Sequence, residues 1–316
     1  MTMGQELPRD VFIEQIRQEA THNKNLYFLS ADLGAKALDR FRTEANGQFI
    51  HAGISEQNMI DVAAGLALNG KTVYVYAMAP FVTLRCYEQI KVAIASMNLP
   101  LTIIGVGVGY SYNDAGPTHY ATEDISCMRA LGGIEILTPC DTESVMATAR
   151  LTYAQPAFRY VRLDRAFLPS VYMPGETRFV SQGVVDIESG KDVCIVTAGY
   201  MVQKALEVKK KLAEKNIQAG IVDSYRLKPL DLEILKSVLA PYSRIVTLEE
   251  HFLSGGLGSA LGEGCIDAGI QTPILRIGIP DHYHLENGGR EHLHQLVGID
   301  VATVTDRIMR FCQGDQ

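Results

Sequence analysis

Apolar runs and amphipathic stretches alternate along the whole of this 316-residue chain, which predicts an α/β fold of two doubly wound, mostly parallel-sheet domains. Two further observations support that class. The length and a 47% apolar content are enough for two separate cores. A stretch carrying Pro169, Pro174, Gly175 and Gly183 then breaks the alternation, so domains over 1–175 and 185–316 are expected, joined by a linker with an edge hairpin.

The elements follow in order. Val11 to His22 has the spacing of a helix, and Leu26 to Leu29 is a buried strand. Phe49 to His51 is a short strand before the helix Gln57 to Leu68. Thr72 to Ala77 is a strand, and Phe81 to Met97 predicts one long helix. Leu101 to Val106 is a strand, Gly107 to Thr122 a polar, Gly-rich loop, and Glu123 to Leu131 a short helix. Ile134 to Leu137, Asp141 to Ala154 and Ala157 to Leu163 give strand, helix and strand. In the second domain, strands are expected over Asp192 to Thr197, Gln218 to Asp223, Arg244 to Leu248 and Ile274 to Ile277. Helices are expected over Val202 to Lys215, Leu232 to Leu239, Leu257 to Ala268 and Asp300 to Cys312.

Composition excludes several functions. A net charge of −7 argues against a nucleic-acid surface, and Lys209 to Lys211 reads as a solvated helix face. The six cysteines form no CxxC pair and mostly sit in apolar runs, as expected of free thiols in a reducing cytoplasm. MTMGQELPRD lacks an apolar targeting core, and no run approaches the ~20 apolar residues of a membrane span, so a soluble cytoplasmic protein is expected.

The candidate chemistry lies in three places. HAGISEQ (His51 to Gln57) puts Glu56 in a small-residue turn before a helix whose first N–H groups favour negative charge. Taken alone, such a residue is more often a helix-capping acid. Phe81 follows Ala79-Pro80 where a helix begins, a place more often filled by a core aromatic. Arg85 and Glu88 are spaced as a surface pair. His119 lies in a long irregular loop of the kind that tends to be functional, although a lone loop histidine is more often structural. GVGVG (Gly105 to Gly109) and GGLG (Gly255 to Gly258) lack the spacing of a phosphate loop.

In order, these segments resemble the C-terminal half of transketolase, and in layout the stand-alone subunits of split transketolases. HAGISEQNMIDVAAGLALNGKTVYVY, PFVTLRCYEQI, GPTHYATEDISCMRAL and EEHFLSGGLGSAL each resemble a family segment. The resemblance implies a thiamine diphosphate pyrimidine-binding domain followed by a transketolase C-terminal domain. It implies a transferase in which Glu56 hydrogen-bonds N1′ of the aminopyrimidine and drives it toward the imino tautomer, whose nitrogen then deprotonates the thiazolium. Phe81, with Arg85 and Ile54, would hold the cofactor ring. His119 would contact the substrate and move protons. His51, Ser30 and Asp32 (from SADL) and Arg165 would bind substrate.

Three departures leave the donor open. The family's acid before GPTH is absent, with Ala115 there and Asp114 one place early, and Gly107 replaces a phosphate-binding histidine. Asp164 replaces a serine beside Arg165, where an acid is expected to repel phosphate. The GDG motif with a distal Asn, which holds Mg²⁺ and the diphosphate, is also absent. The resemblance therefore implies a large-half partner subunit supplying both, in an α2β2 assembly acting on sugar substrates. A deoxyxylulose phosphate synthase-like enzyme, a 2-oxoacid dehydrogenase beta subunit and a non-catalytic partner subunit remain alternatives.

Overall fold

The structure, a computed structural model, describes residues 6–31 and 36–314. Its strands are β1 (Leu26–Ser30), β2 (Phe49–His51), β3 (Thr72–Met78), β4 (Leu101–Val106), β5 (Glu135–Leu137), β6 (Arg159–Leu163), β7 (Val185–Glu188), β8 (Val193–Thr197), β9 (Ala219–Asp223), β10 (Arg226–Lys228), β11 (Ile245–Phe252) and β12 (Ile274–Ile279). They form a seven-stranded sheet in the order β10-β5-β6-β4-β3-β1-β2 and a five-stranded sheet in the order β12-β11-β8-β9-β7. Pairing is parallel except at one edge of each sheet, where β10 meets β5 and β7 meets β9 antiparallel. β10 comes from the second half of the chain and completes the sheet of the first.

Both faces of the first sheet are covered, as alternation along buried parallel strands requires. Leu29, Val75 and Ile103 point to one side with Met59, Ile60 and Ile94. Phe28, Tyr74 and Ile104 point to the other with Phe12, Ile16 and Val145. The second sheet is sandwiched likewise, with Ile195 and Ile221 against Val208 and Ile308 on one face, and Val196 and Val222 against Leu235 and Leu261 on the other. Local sequence fixes helix starts. Asp141 accepts the Ser144 N–H at 2.8 Å while the Ser144 hydroxyl accepts the Asp141 N–H at 3.0 Å, a reciprocal cap for Thr142–Ala154. No helix among the described residues is long and apolar enough to cross a membrane.

The structure corrects two of the sequence expectations. The single helix over Phe81 to Met97 is instead a turn of helix at Ala79–Val82, a second at Tyr87–Gln89 and a wider-turned π-helical segment at Ile90–Ala95. Where the first turn ends, the Thr83 hydroxyl and N–H both donate to the Ala79 carbonyl, at 2.6 and 3.1 Å, and further on Ser96 N–H reaches back five residues to Lys91 at 3.0 Å. The edge hairpin expected within Pro169 to Gly190 does not form. Arg178–Gln182 is a short helix, and β7 pairs with β9 instead. The sequence reading also missed the helices Ala37–Glu44 and Arg290–Val297.

This topology positions the site. β1, β2, β3 and β4 are parallel, so their carboxyl ends share one edge. The turn carrying Glu56, the break carrying Phe81 and Arg85, and the loop carrying His119 all leave the sheet there, where open α/β sheets present their ligand sites.

Candidate active site

After β2 the chain turns sharply. Ala52 N–H donates to the Ser30 carbonyl at 2.8 Å, Gly53 adopts φ +67°, and its N–H donates to His51 Nδ1 at 3.0 Å. The helix Glu56–Leu68 then begins, with Glu56 as its first residue. Glu56 is only 3% exposed. Its Oε2 accepts a hydrogen bond from Arg85 Nη1 at 2.7 Å, so Arg85 does not form the expected surface pair with Glu88. Its Oε1 accepts no hydrogen bond among the described residues and is not one of their fully buried unpartnered atoms.

From this pair a chain of ring contacts runs along the sheet edge. The Arg85 guanidinium lies 4.3 Å from the Phe81 ring centre. Phe81 meets the His119 ring edge-on at 5.4 Å, and His119 lies 5.9 Å from Tyr112. The Arg165 guanidinium covers Tyr112 at 4.0 Å. Glu56, Arg85, Phe81, His119 and Arg165 are thus brought together, with Thr118 Oγ1 2.9 Å from His119 Nδ1. Cys86 is buried beside them, and burial together with the Glu56 charge pushes its thiol up to about 12, which makes it inert as a nucleophile.

Of the other expected residues, Ser30 and His51 lie on β1 and β2 and Ile54 on the turn that follows. Ser30 is buried in β1 and is in register with His51, which is exposed. Ile54 is 78% exposed at the tip of the turn. Asp32 lies outside the described residues.

Tyr112 escaped the sequence reading. Gly107 has φ +81°, and a Cβ there would fall 1.9 Å from the Tyr112 ring. The ring therefore fills the space a side chain at position 107 would need. The signal was the pairing of a side-chain-free residue with a nearby aromatic in GVGVGYSY.

Asp164 is also corrected. It does not oppose an anion at Arg165, because it is buried and turned toward the second half of the chain. Arg290 grips both of its oxygens, at 3.0 and 2.7 Å, and Ser111 Oγ donates to it at 3.0 Å. Arg290 also donates to Glu250 at 2.8 and 2.6 Å, lies 3.4 Å over the Tyr200 ring, and shares Glu250 with His294. Burial alone would raise the Glu250 carboxyl, but Arg290 and His294 outweigh it and hold Glu250 well below the usual range. Together these residues form a closed ionic latch between the two halves. Between Arg165 and Arg290 an open groove of about 590 Å³ is lined by Asn113, Asp114 and His292.

Residues 8–170 match the family model described as transketolase, pyrimidine binding domain, and residues 182–304 match transketolase, C-terminal domain. One of the subunits of the apulose-4-phosphate transketolase of Phocaeicola vulgatus is 32% identical over 304 residues, covering 96% of each chain. The 6-deoxy-6-sulfo-D-fructose transketolase subunit SqwH of a Clostridium species is 30% identical, covering 92% of this chain and 90% of that one. A split-gene transketolase solved as an inactive beta4 tetramer superposes with a TM-score of 0.85 at 29% identity, covering 98% of this chain and 99% of that chain. A buried acid, an aromatic and a histidine on one sheet edge, with both family models matched and relatives aligned over nearly the whole length, place the chain in the transketolase family.

Proposed function

We propose that this chain is the small half of a split transketolase and transfers a ketol unit from a ketose donor to an aldehyde acceptor. The observation that carries the reading is the buried Glu56 carboxyl, with one oxygen on Arg85 and the other uncommitted. That donor set suits a protonated ring nitrogen, so the residues present fit the aminopyrimidine of thiamine diphosphate. When bound, that cofactor supplies a nucleophilic carbon able to attack the donor carbonyl.

The chain's own residues do the rest. Glu56 holds a proton at N1′, and Arg85 keeps the carboxyl oriented. Phe81 packs one face on Arg85, which leaves the other for a flat ring. His119, at the edge of Phe81, binds the substrate oxygen and moves its proton. Arg165, held on Tyr112, receives an anionic substrate tail, and His51, Ser30 and Asp32 complete the sugar site. Ile54 reaches across to the cofactor from its exposed turn.

A large-half partner subunit supplies the diphosphate and Mg²⁺ ligands. The exposed apolar side chains Ile54, Val62, Val92 and Met97 lie on the helix that Glu56 opens and on the segments adjoining it, and suit burial against other chains in an α2β2 assembly. The test is reconstitution with a chain carrying GDG and a downstream Asn, assayed with ketose and 2-oxoacid donors. Ketose turnover that needs both chains is expected. Turnover by this chain alone, or with 2-oxoacids only, would overturn the proposal.

A further inference from the structure

The loop carrying His119 is fastened from behind by the second half of the chain. Gly109 and Ala121 close its base with two backbone hydrogen bonds of 3.0 Å. One flank is tied through Ser111 to Asp164 and so to Arg290. On the other flank, Phe252 N–H donates to the Thr122 carbonyl at 2.8 Å, and Tyr283 Oη donates to Glu123 Oε1 at 3.3 Å. Between them sits Tyr120, only 4% exposed. Its hydroxyl donates to the Glu286 carbonyl at 2.8 Å, with Asn287 Oδ1 at 3.2 Å. Its ring packs edge-on against Tyr110 at 5.0 Å. Asn287 Oδ1 also lies 3.7 Å from where a Cβ on Gly116 would sit, so this segment follows the loop backbone closely.

Neighbouring residues here face opposite ways. His119 packs on Phe81 and Tyr112, toward the carboxyl ends of the first sheet. Tyr120 points into residues 286–287, which lead directly into the helix Arg290–Val297. That helix begins with Arg290, the centre of the ionic latch. The back of the loop is thus tied to an irregular segment of the second domain that runs into the Arg290 helix, while its front carries His119.

We propose that Tyr120 is a positioning residue. Its hydroxyl ties the His119 loop to residues 286–287, and through this tie the second domain sets the place of His119. The inference rests on the proposed role of His119. A histidine at a loop tip keeps its geometry only if the loop cannot swing, and a small displacement of a proton-transferring group costs rate more than binding.

The test is Tyr120→Phe, which removes one oxygen and keeps the ring, in the complex with the large-half partner. Amide exchange is measured over residues 113–119, together with kcat and KM. Exchange there is expected to rise about fivefold, the loss of one ordinary hydrogen bond. A three- to tenfold fall in kcat with KM within twofold is expected, with assembly and Tm nearly unchanged. Unchanged exchange, or exchange that rises while kcat holds, would overturn the inference. A parallel His119→Ala separates the two readings. If that variant turns over normally, His119 has no part in the reaction and the functional reading of it fails, whereas exchange in Tyr120→Phe still reports whether the tie exists.

Discussion

Arg85 Nη1 donates to Glu56 Oε2 at 2.7 Å, joining a half-exposed cation to an almost fully buried acid. The pair spans two loops from different strands of one sheet. It commits one carboxylate oxygen and leaves the other without a hydrogen bond among the described residues.

Replacing Glu56 by Gln keeps the shape and removes the proton held at that second oxygen. Turnover of the reconstituted complex is expected to fall at least about a hundredfold, within the usual range for loss of general acid–base catalysis. Assembly, followed by gel filtration, should be intact. Wild-type rates in Glu56→Gln would remove the catalytic claim and leave a binding subunit.

Arg290→Met should be severely destabilising. The change strands Asp164 and Glu250 as buried carboxylates without their shared cation, and breaking such a pair typically costs about 3–5 kcal/mol. Urea unfolding of the chain would report it. A loss below about 1 kcal/mol would mean that the latch contributes specificity of packing and not stability.

Tyr112→Ala should change which donors are used. It removes the platform under Arg165 and opens the space beside Gly107. Cation–π contacts contribute about 0.5–2 kcal/mol, so KM for donors with an anionic tail should rise roughly three- to thirtyfold. Uncharged donors should be little affected. Equal losses for both donor types would mean that the ring only supports the loop.

Acidity near neutrality should show in stability. Burial lifts the Asp223 carboxyl to about 7, although the Tyr172 hydroxyl and Cys140 thiol donate to it. The folded chain therefore keeps a proton that the unfolded chain has released. This contribution is fully present below the ordinary carboxyl range and is lost as pH rises through about 7. Glu249, lifted to about 7 by burial, acts in the same direction. Chemical denaturation should find the protein less stable at pH 8.5 than at pH 5.5, by about 2 kcal/mol for each group. Asp223→Asn should remove its share of that slope. An unchanged slope would place the proton elsewhere.

Much of this was legible in the sequence, and the failures have physical causes. The parallel strands announced themselves because buried strands are continuous apolar runs, and Glu56, Phe81, Arg85 and His119 did so because ordered segments resemble a family. The helix over 81–97 was misread because apolar periodicity does not register an extra residue in a wide turn. Asp164 was misread as a repulsive neighbour because sequence places it next to Arg165, whereas its partner Arg290 lies far along the chain. Charge networks between domains depend on such distant pairs, and local reading cannot find them. Arg85 was offered Glu88 for the same reason and took Glu56.

The strand β10 has a consequence for how far the two halves are autonomous. By lying against β5 it caps an edge that would otherwise expose unpaired backbone groups, a template for aggregation. A fragment ending near residue 175 would carry that raw edge and lose the latch as well. The halves therefore cannot be treated as interchangeable modules. Swapping the second one for a relative's would mean replacing part of the sheet that holds Glu56, so the incoming edge strand would have to match β5 in register.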